Sequence, residues 1–522
     1  MFSPRSPLML GCLVLALLWP AARLSAQAPP ENRFFQIQVV DDATSRGVPL
    51  VELRTVNEVR HYTDSNGIVA FYEPGLMGQR VFFFVSSHGY EFPKDGFGMI
   101  GRALDVREGG RATLRIKRVN IAERLYRITG AGIYRDSILV GAKAPLREPL
   151  LNAQVTGQDS AMAVVWRDRI RWFWGDTGRP AYPLGLFEMS GATSRLPGDG
   201  GLDPSVGIDL EYFVDQNGFS RAMCPIEGPG PVWIDGLVIV PDGSGEEKLV
   251  CHYSRMKDLG TVLEEGMAVY DEKADVFLKH AEREIGSWRV PKAHPRRVTE
   301  EGVEYYVFPT PYATARVRAT LADVLDPSRY EAFTCLAPGA KFDKKAAKVE
   351  RDADGRPVYD WKRDTDPIDA ARERALLDAG SIRPEEARYQ TRDADSGASV
   401  VLHAGSISWN AFRKKYILIA NQIYGKPSML GEVFYAEADA ITGPWPRARK
   451  IATHDRYSFY NPVHHALFDQ EGGRLIYFEG TYSALFSRED DKTPRYDYNQ
   501  IMYRLDLADP RLKLPAAKAD AP

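Results

Sequence analysis

The stretch RIRWFWGDTG, residues 169–178, runs through three aromatic side chains and then stops on a carboxylate, Asp176, ahead of a Thr-Gly turn. Such an aspartate either caps the turn or presents an acid or base at the floor of a pocket. Other carboxylates stand at comparable places. Glu227 precedes a Gly-Pro-Gly-Pro turn, Glu264 and Glu265 adjoin Gly266, and Glu479 lies between Phe478 and Gly480. Asp203 and Asp209 sit in a glycine-rich loop. Carboxylates at strand ends, flanked by glycine and aromatic residues, suit a carbohydrate pocket. Glycosidic cleavage needs one carboxylic acid to protonate the leaving oxygen and one carboxylate to activate water or attack carbon. Burial of the acid against Trp or Tyr raises its pKa, as that role demands. Aromatic faces also stack on sugars, and Trp174, Trp233 and Tyr482 are candidate platforms. Arg179, Arg195, Tyr460, Asn461, His464 and Glu479 are candidates for binding hydroxyl groups. His464 and His465 are adjacent on a strand and point to opposite faces, so they do not readily share one ion. No metal site and no cofactor is expected.

Composition removes several other classes. Against 67 basic residues stand 70 acidic ones, a net charge of -3 without a basic stripe, so nucleic acid is not an expected partner. There is no Gly-x-Ser-x-Gly elbow, His-Glu-x-x-His pair, phosphate loop or spaced Cys-x-x-Cys pair. Arg5, the apolar run Leu8–Trp19 and the small residues before Gln27 predict a signal peptide over 1–26, hence a secreted or periplasmic bacterial protein. That run is about half the ~20 residues that cross a bilayer, and no later one is long enough, so no membrane span is expected. Cys224, Cys251 and Cys335 remain, enough for one disulfide at most.

The elements that would position these residues are strands. From 34 to 118, short alternating runs broken by Gly, Asn and Asp predict a small β-sandwich. Residues 119–158 are expected to connect it to a second region, 159–508, in which five groups of Tyr- and Trp-rich hairpins follow one another. Five similar sheets in series suit a β-propeller. A charged, Ala-containing segment, 344–390, is expected to be a helical insertion, and 509–522 a disordered tail. The expected class is therefore all-β: a small N-terminal β-sandwich followed by a five-bladed β-propeller with a short helical insertion.

YTDSNGIVAFYEP with VSSHGYE resembles the transthyretin-like, carboxypeptidase-regulatory type of module, over about 85 residues. WFWGDTG, GATSRL, GPVWIDGLVIV and YNPVHHALFDQEGGRLIYFEGTYS resemble secreted bacterial endo-D-arabinanases and, more widely, five-bladed glycoside hydrolases, over roughly 155–508. The resemblance implies hydrolysis of a glycosidic bond in an arabinose- or other pentose-containing polysaccharide. It places Asp176 in the catalytic set, as base or nucleophile. By position Glu265 is the preferred acid, with Asp209 and Glu227 behind it. The competing reading is a non-catalytic glycan- or protein-binding propeller at the cell surface.

Overall fold

The computed structural model describes residues 33–186 and 188–515. The expected signal peptide lies outside the described residues. Near the N-terminus, the alternation FQIQVVD sends Phe35, Ile37 and Val39 of strand Phe35–Asp41 to one side. This strand lies inside a sheet with Ile68–Phe71, Arg111–Arg118 and Tyr90–Glu91. A second sheet holds Arg60–Tyr62, Glu52–Thr55, Arg80–Ser86 and Gly101–Asp105. Leu53, Val81, Phe83 and Val85 of the second sheet share one apolar cluster with Phe35, Ile37, Leu114 and Ile116 of the first.

Beside a three-stranded sheet of Gly157–Gln158, Thr177–Arg179 and Tyr182–Leu186, five further sheets follow, with strands here given in spatial order. Sheet I is Met162–Trp166, Arg169–Trp174, Ser190–Ser194 and Glu211–Tyr212; sheet II is Val232–Pro241, Glu247–Asp258, Thr261–Asp271 and Val276–Arg283. Sheet III is Arg296–Glu300, Val303–Pro309, Ala313–Arg318, Glu331–Thr334 and Asp360–Arg363. Sheet IV is Leu402–Asn410, Lys415–Gln422, Val433–Ala438, Arg447–Ala452 and Arg392–Asp393. Sheet V is Ser458–His464, Leu475–Ser483, Asn499–Asp506 and Glu123–Arg127.

Each sheet packs on the next. Trp166 and Phe173 of sheet I meet Val232 and Leu249 of sheet II; Val238 and Met267 of sheet II meet Phe308 and Ala315 of sheet III. Val307 meets Ile407 and Leu418, and Ile417 and Tyr435 meet Phe459 and Phe478. The order then closes, because Ile170, Trp172 and Trp174 of sheet I meet Val463, Tyr477 and Met502 of sheet V. Period-2 alternation does this directly: Trp172 and Trp174 face sheet V while Phe173, between them, faces sheet II.

Two departures from expectation concern connections. Residues 123–127, expected inside a connecting segment, pair antiparallel with Asn499–Asp506 and complete sheet V. The chain entering sheet I thus supplies the outermost strand of the last sheet and covers the edge of Asn499–Asp506. Within 344–390 the expected short helices are Ala370–Asp378 and a helical turn at Pro384–Glu386, while Asp360–Arg363, not expected, adds a strand to sheet III. Cys335, Leu336, Ile368, Leu376 and Ile382 form the core of this excursion. Within the expected tail, 509–522, Pro510–Leu512 forms a helical turn and Leu512 is buried against sheets IV and V, and 516–522 lie outside the described residues. Cys224, Cys251 and Cys335 are free and buried. Among the described residues, no helix is long and apolar enough to cross a membrane.

The first strand of each sheet lies nearest the centre. Arg296, opening sheet III, donates to the Ile407 carbonyl at 2.6 Å and the His464 carbonyl at 3.0 Å, on the first strands of sheets IV and V. In an antiparallel sheet the start of the first strand and the end of the second share one end, so these positions are where distant residues can be gathered.

Candidate active site

Asp159 precedes the first strand of sheet I and Asp176 follows the second, so the hairpin sets them side by side. The Gly175 N–H donates to the Asp159 carbonyl at 2.8 Å. Asp159 Oδ1 lies 2.1 Å from where a Cβ on Gly175 would stand, so only glycine admits the carboxyl here. The Tyr460 hydroxyl, from sheet V, donates to Asp159 Oδ2 at 3.0 Å, and Tyr498 and Ser160 also bond this carboxyl. The Trp233 indole, from sheet II, donates to Asp176 Oδ1 at 2.9 Å. Three sheets therefore contribute to one acidic pair.

The backbone around the pair is strained. Ser160, Asn461 and Tyr498 all adopt left-handed φ, 54°, 49° and 63°, each an unfavourable state for a residue with a Cβ and one that concentrates at functional sites. The Asn461 amide donates to Ser160 Oγ at 2.8 Å, tying two of these residues together.

Electrostatics separate the two carboxyls. Burial, and secondarily the charge of Asp176, push Asp159 up to about 7. Asp176 is also raised by burial, but the Trp233 hydrogen bond favours its charged form. Near neutral pH the pair can hold one proton on Asp159 and leave Asp176 ionised, an acid beside a base. A third carboxyl is close by on the first strand of sheet II. Asp235 shares the face of Trp233, accepts the N–H groups of Gly236 and Ala293 at 2.9 and 2.7 Å, and is pushed up to about 6 by burial.

The residues singled out in the sequence are placed unevenly. Asp176, Trp233, Tyr460 and Asn461 come together. Glu265 lies on the same row and face as Trp233 through the register Trp233, Ser254, Glu265, two strands or about 10 Å outward. Its Oε2 accepts the Gly286 N–H at 2.8 Å, and it is buried. Glu227 is exposed in the loop before sheet II. Asp209 is held by the Arg147 guanidinium and lines a separate cavity of about 270 Å³ with Arg195 and Phe468. Arg195 follows the third strand of sheet I, hence the end opposite Asp176. Arg179 lies close to Asp176 in sequence, but its guanidinium covers the Phe219 ring at 5.2 Å.

Four expected binding residues are buried in packing. Trp174 is fully enclosed and stacked on Trp172, so its ring is closed to a sugar. The Tyr482 hydroxyl meets His88 Nε2 at 2.9 Å, beneath the N-terminal sheets. His464 pairs with Asp469 at 2.7 Å and Glu479 with His465 at 2.5 Å. Among the described residues, no group of three or more His, Cys, Asp or Glu is arranged to hold a metal ion. Asp159 and Tyr498 were missed in the sequence. Asp159 has no aromatic run beside it, and its one local signal is its place just before a strand.

No family model matches the chain, and no curated protein does. Similar solved structures include an exo-β-1,3-galactanase from Phanerochaete chrysosporium, at 10% identity and TM-score 0.32 over 69% of this chain and 63% of that one. An α-L-arabinanase from Penicillium chrysogenum shows 12% identity and TM-score 0.34 over 74% and 99%. An exo-1,5-α-L-arabinanase from a bovine ruminal metagenomic library shows 10% and 0.33 over 68% and 94%. The match spans less than two thirds of the galactanase chain. Similarity of this degree transfers no activity, and the site's own geometry has to carry the functional argument.

Proposed function

We propose that the five sheets are the blades of a five-bladed β-propeller and that the acidic pair at its mouth hydrolyses a glycosidic bond in a secreted or periplasmic protein. The N-terminal sheets would be an accessory sandwich of the transthyretin-like type. The observation that carries the reading is the pairing of Asp159 with Asp176 across Gly175. Asp159, protonated near neutrality, would deliver its proton to the leaving oxygen. Asp176 would remain ionised on its Trp233 bond and act as base or nucleophile. This moves the acid from Glu265 to Asp159, because Asp159 shares Gly175 and Tyr498 with the base, whereas Glu265 stands two strands away. Tyr460 and Tyr498 keep the acid oriented, and the half-exposed Trp233 supplies an aromatic wall to the cleft. The substrate class is a polysaccharide, with pentose polymers such as arabinan the first choice.

Reducing-sugar release from a panel of arabinans, galactans and xylans tests this directly. Activity on at least one polymer, abolished in both Asp159→Asn and Asp176→Asn, is the expected result. Equal cleavage by both variants would sink it; binding without cleavage by the parent protein would favour the glycan-binding alternative.

A further inference from the structure

One aromatic ring at this end of the molecule has no part in the chemistry above and is only partly covered. Phe486 lies in the loop between the second and third strands of sheet V, the loop equivalent to that carrying Asp176 in sheet I. Its ring stands edge-on to Tyr460, centroids 5.6 Å apart at 79°, and Tyr460 is the residue that bonds Asp159. Phe486 is nevertheless 54% exposed.

The backbone makes that exposure hard to attribute to folding. The Ser487 N–H donates to the Ala484 carbonyl at 3.1 Å, making Leu485 and Phe486 the central pair of a four-residue turn. Phe486 has φ 60°, where a turn of this kind calls for glycine or asparagine. The turn is fixed from both sides: the Ala484 N–H donates to Asp497 Oδ1 at 2.6 Å and the Leu485 N–H to Ser483 Oγ at 3.1 Å, while the Ser487 hydroxyl donates to the Ala484 carbonyl at 2.7 Å. Glycine would adopt this φ without strain, whereas phenylalanine carries the steric cost of its Cβ there. Tyr424 repeats the pattern in the matching loop of sheet IV, at φ 62° and 70% exposed.

Building on the glycan reading of the Asp159–Asp176 site, we propose that Phe486 is a stacking platform for a sugar ring of the bound chain, seated next to the scissile bond, and that Tyr424 supports a more distant ring. A flat, strained, exposed aromatic beside a polar site matches what a pyranose or furanose offers, an apolar C–H face with hydroxyl groups around its edge.

The test uses the full-length protein carrying Asp176→Asn, so that binding is read without turnover, and titrates short neutral arabino- and galacto-oligosaccharides by calorimetry. Adding Phe486→Ala or Phe486→Gly is expected to weaken binding about tenfold, the scale of one lost aromatic contact, while Phe486→Trp retains it. The melting temperature of the glycine variant should not fall, since a left-handed position is relieved. Undiminished binding in the alanine variant overturns the platform while leaving the glycan reading intact. If no oligosaccharide binds the Asp176→Asn parent, the glycan reading fails and the platform fails with it.

Discussion

Tyr460 and Asp159 are 301 residues apart in the chain, yet the tyrosine hydroxyl donates to the aspartate carboxyl at 3.0 Å across the junction of sheets V and I. That junction exists only because the ring of sheets closes. Any change that opens the closure should therefore disturb the acid before it unfolds the protein.

The acid and base are separable by conservative substitution. Asp159→Asn and Asp176→Asn should each lower kcat by roughly 10²–10⁴-fold, the range of a general acid–base contribution, with the far-UV circular dichroism unchanged. A fall confined to KM would assign the residue to binding instead.

Asp159 also makes a pH signature. Its native value of about 7 lies above the ordinary 3.8, so between these pH values the folded protein holds a proton that the unfolded chain has lost. Stability then declines as pH rises through that window, by at most about 1.4 kcal/mol per pH unit. Urea titrations from pH 4 to 7 should show a shallower decline in Asp159→Asn than in the parent, the remainder coming from Asp64 and Asp235, both raised by burial to about 6. Asp159 likewise predicts that activity falls on the alkaline side of about pH 7, as the acid ionises.

Gly175→Ala tests the packing that joins the pair. The added Cβ would fall 2.1 Å from Asp159 Oδ1, so the carboxyl must shift from the position in which Tyr460 holds it. We expect a stability loss of about 1–3 kcal/mol and a kcat loss greater than that of a remote glycine-to-alanine change such as Gly243→Ala, whose Cβ meets open space.

Glu479 should act on stability and not on binding. It is fully buried with its Oε1 on His465 Nε2 at 2.5 Å, and leaving one partner of a buried hydrogen bond unsatisfied costs about 1–3 kcal/mol. Thermal melts of Glu479→Ala should show that loss, with KM unchanged for the protein that remains folded at assay temperature.

How much of this was legible beforehand follows from which interactions are local. The alternation in RIRWFW dictates that Trp172 and Trp174 oppose Phe173, and the structure places them against sheets V and II. The turn at Arg167–Asp168, both with positive φ, falls in a polar break between two apolar runs. Burial was not visible: Trp174, Tyr482 and Glu479 have the side chains of a sugar site, but their surroundings are assembled from other sheets.

By itself, then, the sequence determined the strands, their facing sides and a carboxylate at a strand end, because each depends on neighbours within a few residues. Only the tertiary structure decided that Glu123–Arg127 closes sheet V, that Asp176's companion is Asp159, and that Tyr460 and Trp233 reach them from two other sheets. Those contacts are set by how the sheets pack around the centre, and no local pattern records which strand ends will meet.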